Sequence, residues 1–192
     1  PNKKFISFEN KKEDITTLSY NSVDHIFQAS NKNIYVSTMG GGLNVLSNYN
    51  IKDKIFKWSY FDVSRGLSSN KVFAMEEDLE KNIWISTSLG LNKYYPKEEK
   101  FENFFVEREY GLNYFTEGCV SKLSNGDMLF GHHKGFLTFN PKYIIKDTTT
   151  YPIVLSKFFV NGNEELPRKS NIIDKNIEYE NGVKLSYMQN TI

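Results

Sequence analysis

The sequence predicts an all-β chain, and three observations predict it. A phrase of about fourteen residues recurs: NIYVSTMGGGLNVL from Asn33, NIWISTSLGLNKYY from Asn82, and a worn copy, DMLFGHHKGFLTF, from Asp127. Apolar segments of about five residues, rich in Ile, Val, Phe, Tyr and Trp, alternate with turn residues, the pattern of strands. No stretch shows a convincing helical period.

Aligned on Asn33, Asn82 and Asp127, the copies are 49 and 45 residues apart. Leu18, Leu67 and Leu112 lie fifteen residues earlier, and Ile26, Met75 and Val120 lie seven earlier. The triplets Ile34-Tyr35-Val36, Ile83-Trp84-Ile85 and Met128-Leu129-Phe130 follow, then Gly42, Gly90 or Gly135 and a further strand. Copy one has one extra glycine in MGGG. Self-similarity at this period is the signature of propeller blades of four short strands. In copy two the strands are expected at 72–77, 83–87, 91–95 and 101–105. The first turns, SNKN, LEKN and SNGD, are expected to place Asn, Gly and Asp where positive φ is needed. Trp84 is expected to be buried between neighbouring blades, and Cys119 to be a small buried thiol on an innermost strand.

The expected architecture is a partial β-propeller over residues 1–146, with three four-stranded blades. PNKKFISF at the start matches PKEEKFENF after copy two and is expected to be the outer strand of a preceding blade. Three blades do not close a ring of about four to eight. Both ends are therefore expected to be cuts through a longer protein. DTTTYP contains a linker at 147–151. From Pro152 to Ile192, two Asn-Gly turns, at Asn161 and Asn181, predict the first strands of a truncated Ig-like β-sandwich.

Charge and cysteine content narrow the function. With 24 basic and 23 acidic residues mixed along the chain, no basic field favours nucleic acid. A single cysteine excludes a disulfide framework and a Cys-rich zinc site. No apolar run approaches the ~20 residues that span a bilayer, and no stretch reads as a signal peptide.

The segment Gly66 to Phe104 resembles a two-component regulator propeller repeat. It carries that pattern's Gly-Leu, an Asn before the first strand, an acidic residue, Ile-Trp-Ile, Gly-Leu and Tyr-x-Pro. Ser86 stands in place of the usual Gly. Phe130 to Pro141 resembles the terminal blade, with His132 and His133 where small residues are common. The segment from Pro152 resembles the sandwich domain named for three tyrosines. This resemblance implies the periplasmic sensor region of a hybrid two-component histidine kinase, an oligosaccharide ligand and a homodimeric full-length protein. It implies a membrane helix only downstream, and a kinase domain outside this chain.

No nucleophile elbow, phosphate loop, HExxH or Cys-x-x-Cys occurs, so no catalytic residue, metal or cofactor is expected. Adjacent carboxylates such as Glu76-Glu77 and Glu98-Glu99 point to opposite faces or sit in turns and make poor acid–base partners. His132-His133 is more simply a polar loop than a metal site, since no third ligand is near in sequence. Propeller geometry brings loops together at one mouth. The candidate ligand-binding residues there are Arg65, Arg108, Tyr114, Glu117, His132 and His133, with Tyr110 and Met39 beside them. Glu117 is expected to replace the apolar Val23 and Val72 of the other copies. Aromatic faces with polar groups suit a sugar. The rival reading is a surface that docks another protein.

Overall fold

The computed structural model describes residues 5–14, 16–50, 52–53, 55–104, 114–144, 157–167, 172–173, 183, 185 and 188. The chain divides into two compact units, Pro1–Ile145 and Lys146–Ile192.

The first unit is built from antiparallel meanders. Strands β1 (Val23–Gln28), β2 (Ile34–Thr38), β3 (Gly42–Asn50) and β4 (Ile55–Phe61) form one four-stranded sheet in chain order. A second repeats that order with β5 (Val72–Glu77), β6 (Ile83–Thr87), β7 (Gly90–Tyr95) and β8 (Lys100–Phe104). The third contains β9 (Phe115–Lys122), β10 (Met128–His132) and β11 (Gly135–Phe139). The copy-two strands fall within a residue of their expected bounds. The third sheet differs from the expected four strands: among the described residues it has three. After Phe139, Asn140 caps a 3-10 turn over Pro141–Tyr143 by accepting from the Lys142 N–H, and the chain leaves the sheet. The other 3-10 turn is Val63–Arg65.

The opening hairpin is the same in all three sheets. Ala29, Asp78 and Leu123 each donate to the carbonyl four residues on and accept from the N–H three residues on. The left-handed position is filled by Lys32 (φ 69°), Lys81 (φ 72°) and Gly126 (φ 91°). The expectation of Asn, Gly or Asp there holds only in the third turn. In the first two, lysine takes the strained position; in all three turns the next N–H, of Asn33, Asn82 or Asp127, is held by a side-chain oxygen of Asn31, Asp78 or Asn125. Replacing Lys81 by Gly relieves a left-handed cost of about 1 kcal/mol. Lys81→Gly is therefore expected to raise the urea midpoint, by up to about 1 kcal/mol in stability.

Side-chain parity stacks the sheets. Tyr35, Leu43, Val45 and Phe61 from one face of the first sheet pack on Val72, Met75, Ile83, Ile85 and Tyr94 of the second. The opposite face of the second sheet, with Phe73, Trp84 and Leu91, packs on Phe115, Met128 and Phe130 of the third. Trp84 is 1% exposed and lies between these sheets as expected. Its ring stacks on Phe104 at 5.3 Å and meets Phe139 at 4.7 Å. Its indole N–H donates to Asp78 Oδ2 at 3.0 Å. The Leu-Ser phrases repeat structurally as well. Ser19 N–H and Oγ bond the buried Asn44 amide, and Ser68 does the same with Asn92. Leu112 lies outside the described residues.

The N-terminal segment corrects a second expectation. Phe5–Phe8 forms no strand. Phe8 instead sets its ring edge-on to Phe56 and Trp58 of β4, at 4.7 and 5.6 Å. Phe8 stays 39% exposed, so these ring contacts only partly cover it.

In the second unit, β12 (Phe159–Val160) and β13 (Asn163–Glu164) form a hairpin through Asn161 and Gly162, both at positive φ. This is the expected Asn-Gly turn. The expected linker at 147–151 and the second turn at Asn181-Gly182 lie outside the described residues.

Candidate functional site

The end of the sheets where β1, β5 and β9 begin gathers most of the candidate residues. On the third sheet, Tyr114 immediately precedes β9 and is 62% exposed. Its ring lies 5.7 Å from the His133 ring at a 34° tilt, and its carbonyl accepts the His133 N–H. His132 pairs with Phe115 across the strands, and its Nδ1 accepts the Lys134 N–H at 3.1 Å. Tyr114 and His133 thus form an exposed ring pair. His132 ends β10, and both histidines reach back to the residues that start β9. Arg108 and Tyr110 lie outside the described residues.

Glu117 does not replace Val72. Val72 pairs with Thr87, and Phe115 pairs with His132 at the matching place in the third sheet. The three-residue step from Val72 to Met75 faces Thr87 to Ile85, whereas five residues from Phe115 to Val120 face His132 to Phe130. The third sheet therefore carries a bulge two residues longer. Phe115, 3% exposed, does the packing. Thr116, Glu117, Gly118 and Cys119 are turned out, with Gly118 at φ 63°. The same bulge overturns the buried-thiol expectation: Cys119 is exposed. Its sulfur lies over Gly131, where any Cβ would collide with it. Counting back from Asp127 misplaces both residues, because a bulge adds chain without adding ladder.

The bulge reaches across to the first sheet. Gly118 lies against the Asp24 carbonyl and the His25 ring. Burial pushes the Asp24 carboxyl above the usual carboxylate range, the Glu117 charge adds to this, and Lys71 opposes it. Asp24 Oδ2 is buried without a hydrogen-bond partner. Asp24, His25 and Lys71 escaped the sequence reading. The available signal was a run of polar residues in an inner strand where copy two has Phe73 and Ala74.

His25 ties two sheets together. Its Nδ1 accepts the N–H of the fully buried Met75 at 3.1 Å. Burial lowers its pKa from the ordinary imidazole value. The unfolded chain therefore binds this proton more tightly than the folded chain. The stabilisation is full above the ordinary value of about 6.5 and is lost as pH falls below it. His25→Ala leaves the Met75 N–H without an acceptor, at a cost of about 1–3 kcal/mol. Urea titrations at neutral pH and at pH ~5 are expected to show a smaller difference between variant and parent at the acid value.

Arg65 lies in the connection from β4 to β5. Its guanidinium donates to the Tyr60 carbonyl at 2.7 Å and sits 4.6 Å from the Tyr60 ring centre. Tyr60 also borders a shallow groove of about 260 Å³ beside Asp14, Gly40, Gly41, Asp62 and Asn70. The extra glycine of copy one forms part of that rim. Hydrogen bonds from Thr16 hold the Asp14 carboxyl below its usual range. Met39, at the same end, is 38% exposed and bridges to Lys71. Among the described residues no group of three His, Cys, Asp or Glu is placed to hold a metal ion. The arrangement suits hydrogen bonding and ring stacking.

No family model matches the chain. It is 27% identical over 231 aligned residues to Histidine kinase P4 of Formosa agariphila, an alignment that takes in 96% of the chain and 17% of that protein. Its structure is similar to the extracellular domain assigned to a hybrid two component system of B. thetaiotaomicron. That match has a TM-score of 0.59 at 24% identity, covering 78% of the chain and 21% of that domain. A second such domain from B. thetaiotaomicron matches with a TM-score of 0.57 at 18% identity, covering 95% of the chain and 35% of that domain. These two likenesses are of fold. The chain spans about a sixth of its curated relative and a fifth to a third of these domains. Among the described residues no helix is long and apolar enough to cross a membrane.

Proposed function

We propose that the chain is a non-catalytic part of the sensor region of a hybrid two-component histidine kinase. The observation that carries this reading is the 27% identity with a histidine kinase across 96% of the chain. In this reading the three stacked sheets are consecutive β-propeller blades, and the Phe159–Glu164 hairpin opens an Ig-like sandwich of the triple-tyrosine kind. The region stands in the periplasm and binds an oligosaccharide. Its parent protein works as a homodimer, anchored by a helix outside this chain. Arg65, Arg108, Tyr114, Glu117, His132 and His133 are the proposed ligand contacts. The exposed Tyr114–His133 ring pair supports a stacking role. A ligand moves such a sensor only by binding two of its states with different affinity.

Calorimetry on the complete ectodomain with a panel of plant, algal and host polysaccharides tests the reading. Binding to one of them is expected, together with transcription of the linked operon on that polysaccharide. Absence of both would sink it. The competing reading, a surface that docks another protein, is favoured by exposed apolar residues such as Phe136, 64% exposed. A specific periplasmic partner in a pull-down, with no sugar response, would select it.

A further inference from the structure

The loop after β2 is longer than its counterpart after β6. Thr38 and Thr87 hold the same place, each hydroxyl donating to the carbonyl of the glycine that opens the next strand, Gly42 or Gly90. Two residues separate that pair in copy two and three in copy one. In copy two the loop is tied by a 2.7 Å contact between the Ser69 and Ser88 hydroxyls. In copy one the Gly40 and Gly42 N–H groups donate to the Asn70 carbonyl, and any Cβ on Gly41 would collide with Ser19 and Tyr20. This longer loop is one wall of the 260 Å³ groove; residues 10–19 and the end of β4 supply the others. The walls are held by their own bonds. The Lys11 N–H donates to the Thr17 hydroxyl, which donates to the Asp14 carbonyl. Asn70 Oδ1 accepts the Val63 N–H at 2.9 Å. Thr16 and Ser64 each occupy one carboxylate oxygen, of Asp14 and of Asp62. Among the described residues, the second oxygen of each and the Asn70 side-chain N–H groups make no hydrogen bond.

We infer that this groove holds one uncharged sugar ring, given that the chain binds an oligosaccharide as proposed above. The groove offers both kinds of hydrogen-bonding group: carboxylate oxygens that only accept, and an amide and the Lys11 ammonium that donate. A hydroxyl both donates and accepts, so neighbouring sugar hydroxyls satisfy the two kinds together. A cation would leave the donors without an acceptor. A uronate or sulfate meets Glu13, Asp14 and Asp62 with only Lys11 to offset them, and like charges set side by side cost several kcal/mol, about. The volume lies below the roughly 300–1,000 Å³ of pockets for drug-sized ligands, which suits one ring and not a chain of them. Tyr60 adds an aromatic ring at the edge, the usual companion of sugar hydroxyl contacts. Because the walls are already tied, little ordering opposes binding. Gly40 and Asn70 adjoin Met39 and Lys71, which bridge to each other. The rest of the oligosaccharide therefore has a path from the groove toward the end of the sheets that carries Tyr114 and His133.

Calorimetry on the complete ectodomain tests this with two sets of short oligosaccharides. One set is neutral, of gluco-, xylo-, galacto- and manno-oligosaccharides; the other is acidic, of oligogalacturonate and a sulfated galactan. A neutral compound is expected to bind, and the acidic ones to bind at least ~10-fold more weakly. Asp14→Asn and Asp62→Asn are each expected to weaken the neutral compound about 10-fold, because a charge-assisted hydrogen bond becomes a neutral one. Each variant keeps an oxygen for Thr16 or Ser64, so circular dichroism should be unchanged. An acidic compound that binds more tightly than every neutral one overturns the inference, and that comparison needs no variant. A neutral compound whose affinity neither variant changes also overturns it, while the sensor reading stands with its ligand elsewhere. Binding of no oligosaccharide at all removes both.

Discussion

Trp84→Ala is expected to cost about 3–5 kcal/mol of stability, the range for removing a large buried aromatic. The indole is 1% exposed and forms the centre of the contact between the second and third sheets, with Phe104 and Phe139 against it. Its removal leaves a cavity bounded by two sheets. Neither can collapse into it without shifting the buried Phe130 or Leu91. A typical domain has only about 5–15 kcal/mol in hand, so the variant sits near the edge of folding. Urea unfolding followed by far-ultraviolet circular dichroism measures the loss. Trp84→Phe separates the contributions, because it keeps an apolar ring and removes the indole N–H. A loss below ~1 kcal/mol for the alanine variant would mean that the sheets close over the gap.

Asp78→Ala is expected to cost about 3–5 kcal/mol, as breaking a buried charge network does. Asp78 is 1% exposed. Its carboxylate accepts the Trp84 indole N–H and the N–H groups of Glu80 and Asn82, each at 2.9 to 3.0 Å. Lys93, with its ammonium 3.8 Å away and only 12% exposed, balances the charge. Alanine takes the acceptor from these three N–H groups and from the Asn82 side-chain amide, and leaves Lys93 with Glu80 alone, 3.7 Å away. Asp78→Asn keeps one acceptor oxygen and is expected to recover part of the loss. Added salt should change either effect little, because buried pairs are poorly screened. By contrast, Lys100–Glu98 is exposed on both partners, and pairs of that kind contribute about 0–1 kcal/mol.

These two residues show how far the sequence could be read. Trp84 was legible because its apolar triplet recurs with a regular spacing. Asp78 was not, because its role follows from the ring it faces. Tyr35 holds Trp84's place in the first sheet, with the Asn31 and Asn33 side chains beside its hydroxyl and Ala29 in the position of Asp78. In the third sheet the ring is replaced by Leu129 and the acid by Leu123. An acid stands at the position of Asp78 only where an indole N–H must be satisfied. Lys32 and Lys81 were missed as left-handed residues for a related reason. Each of the three turns is held by a backbone N–H donating to a neighbouring side-chain oxygen, whether Lys or Gly takes the left-handed position, and turn propensity does not register that bond.

The candidate site was legible in outline and illegible in register. Tyr114, His132 and His133 do gather at one end of the third sheet. Glu117 and Cys119 were misplaced, because an alignment of copies counts residues and a sheet counts paired steps. Asp24 and His25 went unseen, because each gains its meaning from a strand more than forty residues away.

The sequence by itself determined the strands, their meander order and the alternation that makes each sheet two-faced. Those follow from local spacing, a period of two within strands and of 45 to 49 between copies. Only the tertiary structure decided which face meets which, where the bulge falls, which carboxylates are buried and which apolar faces stay open. Such choices depend on the fit between surfaces far apart in the chain, and packing discriminates at the scale of a single methyl group, which no periodicity records.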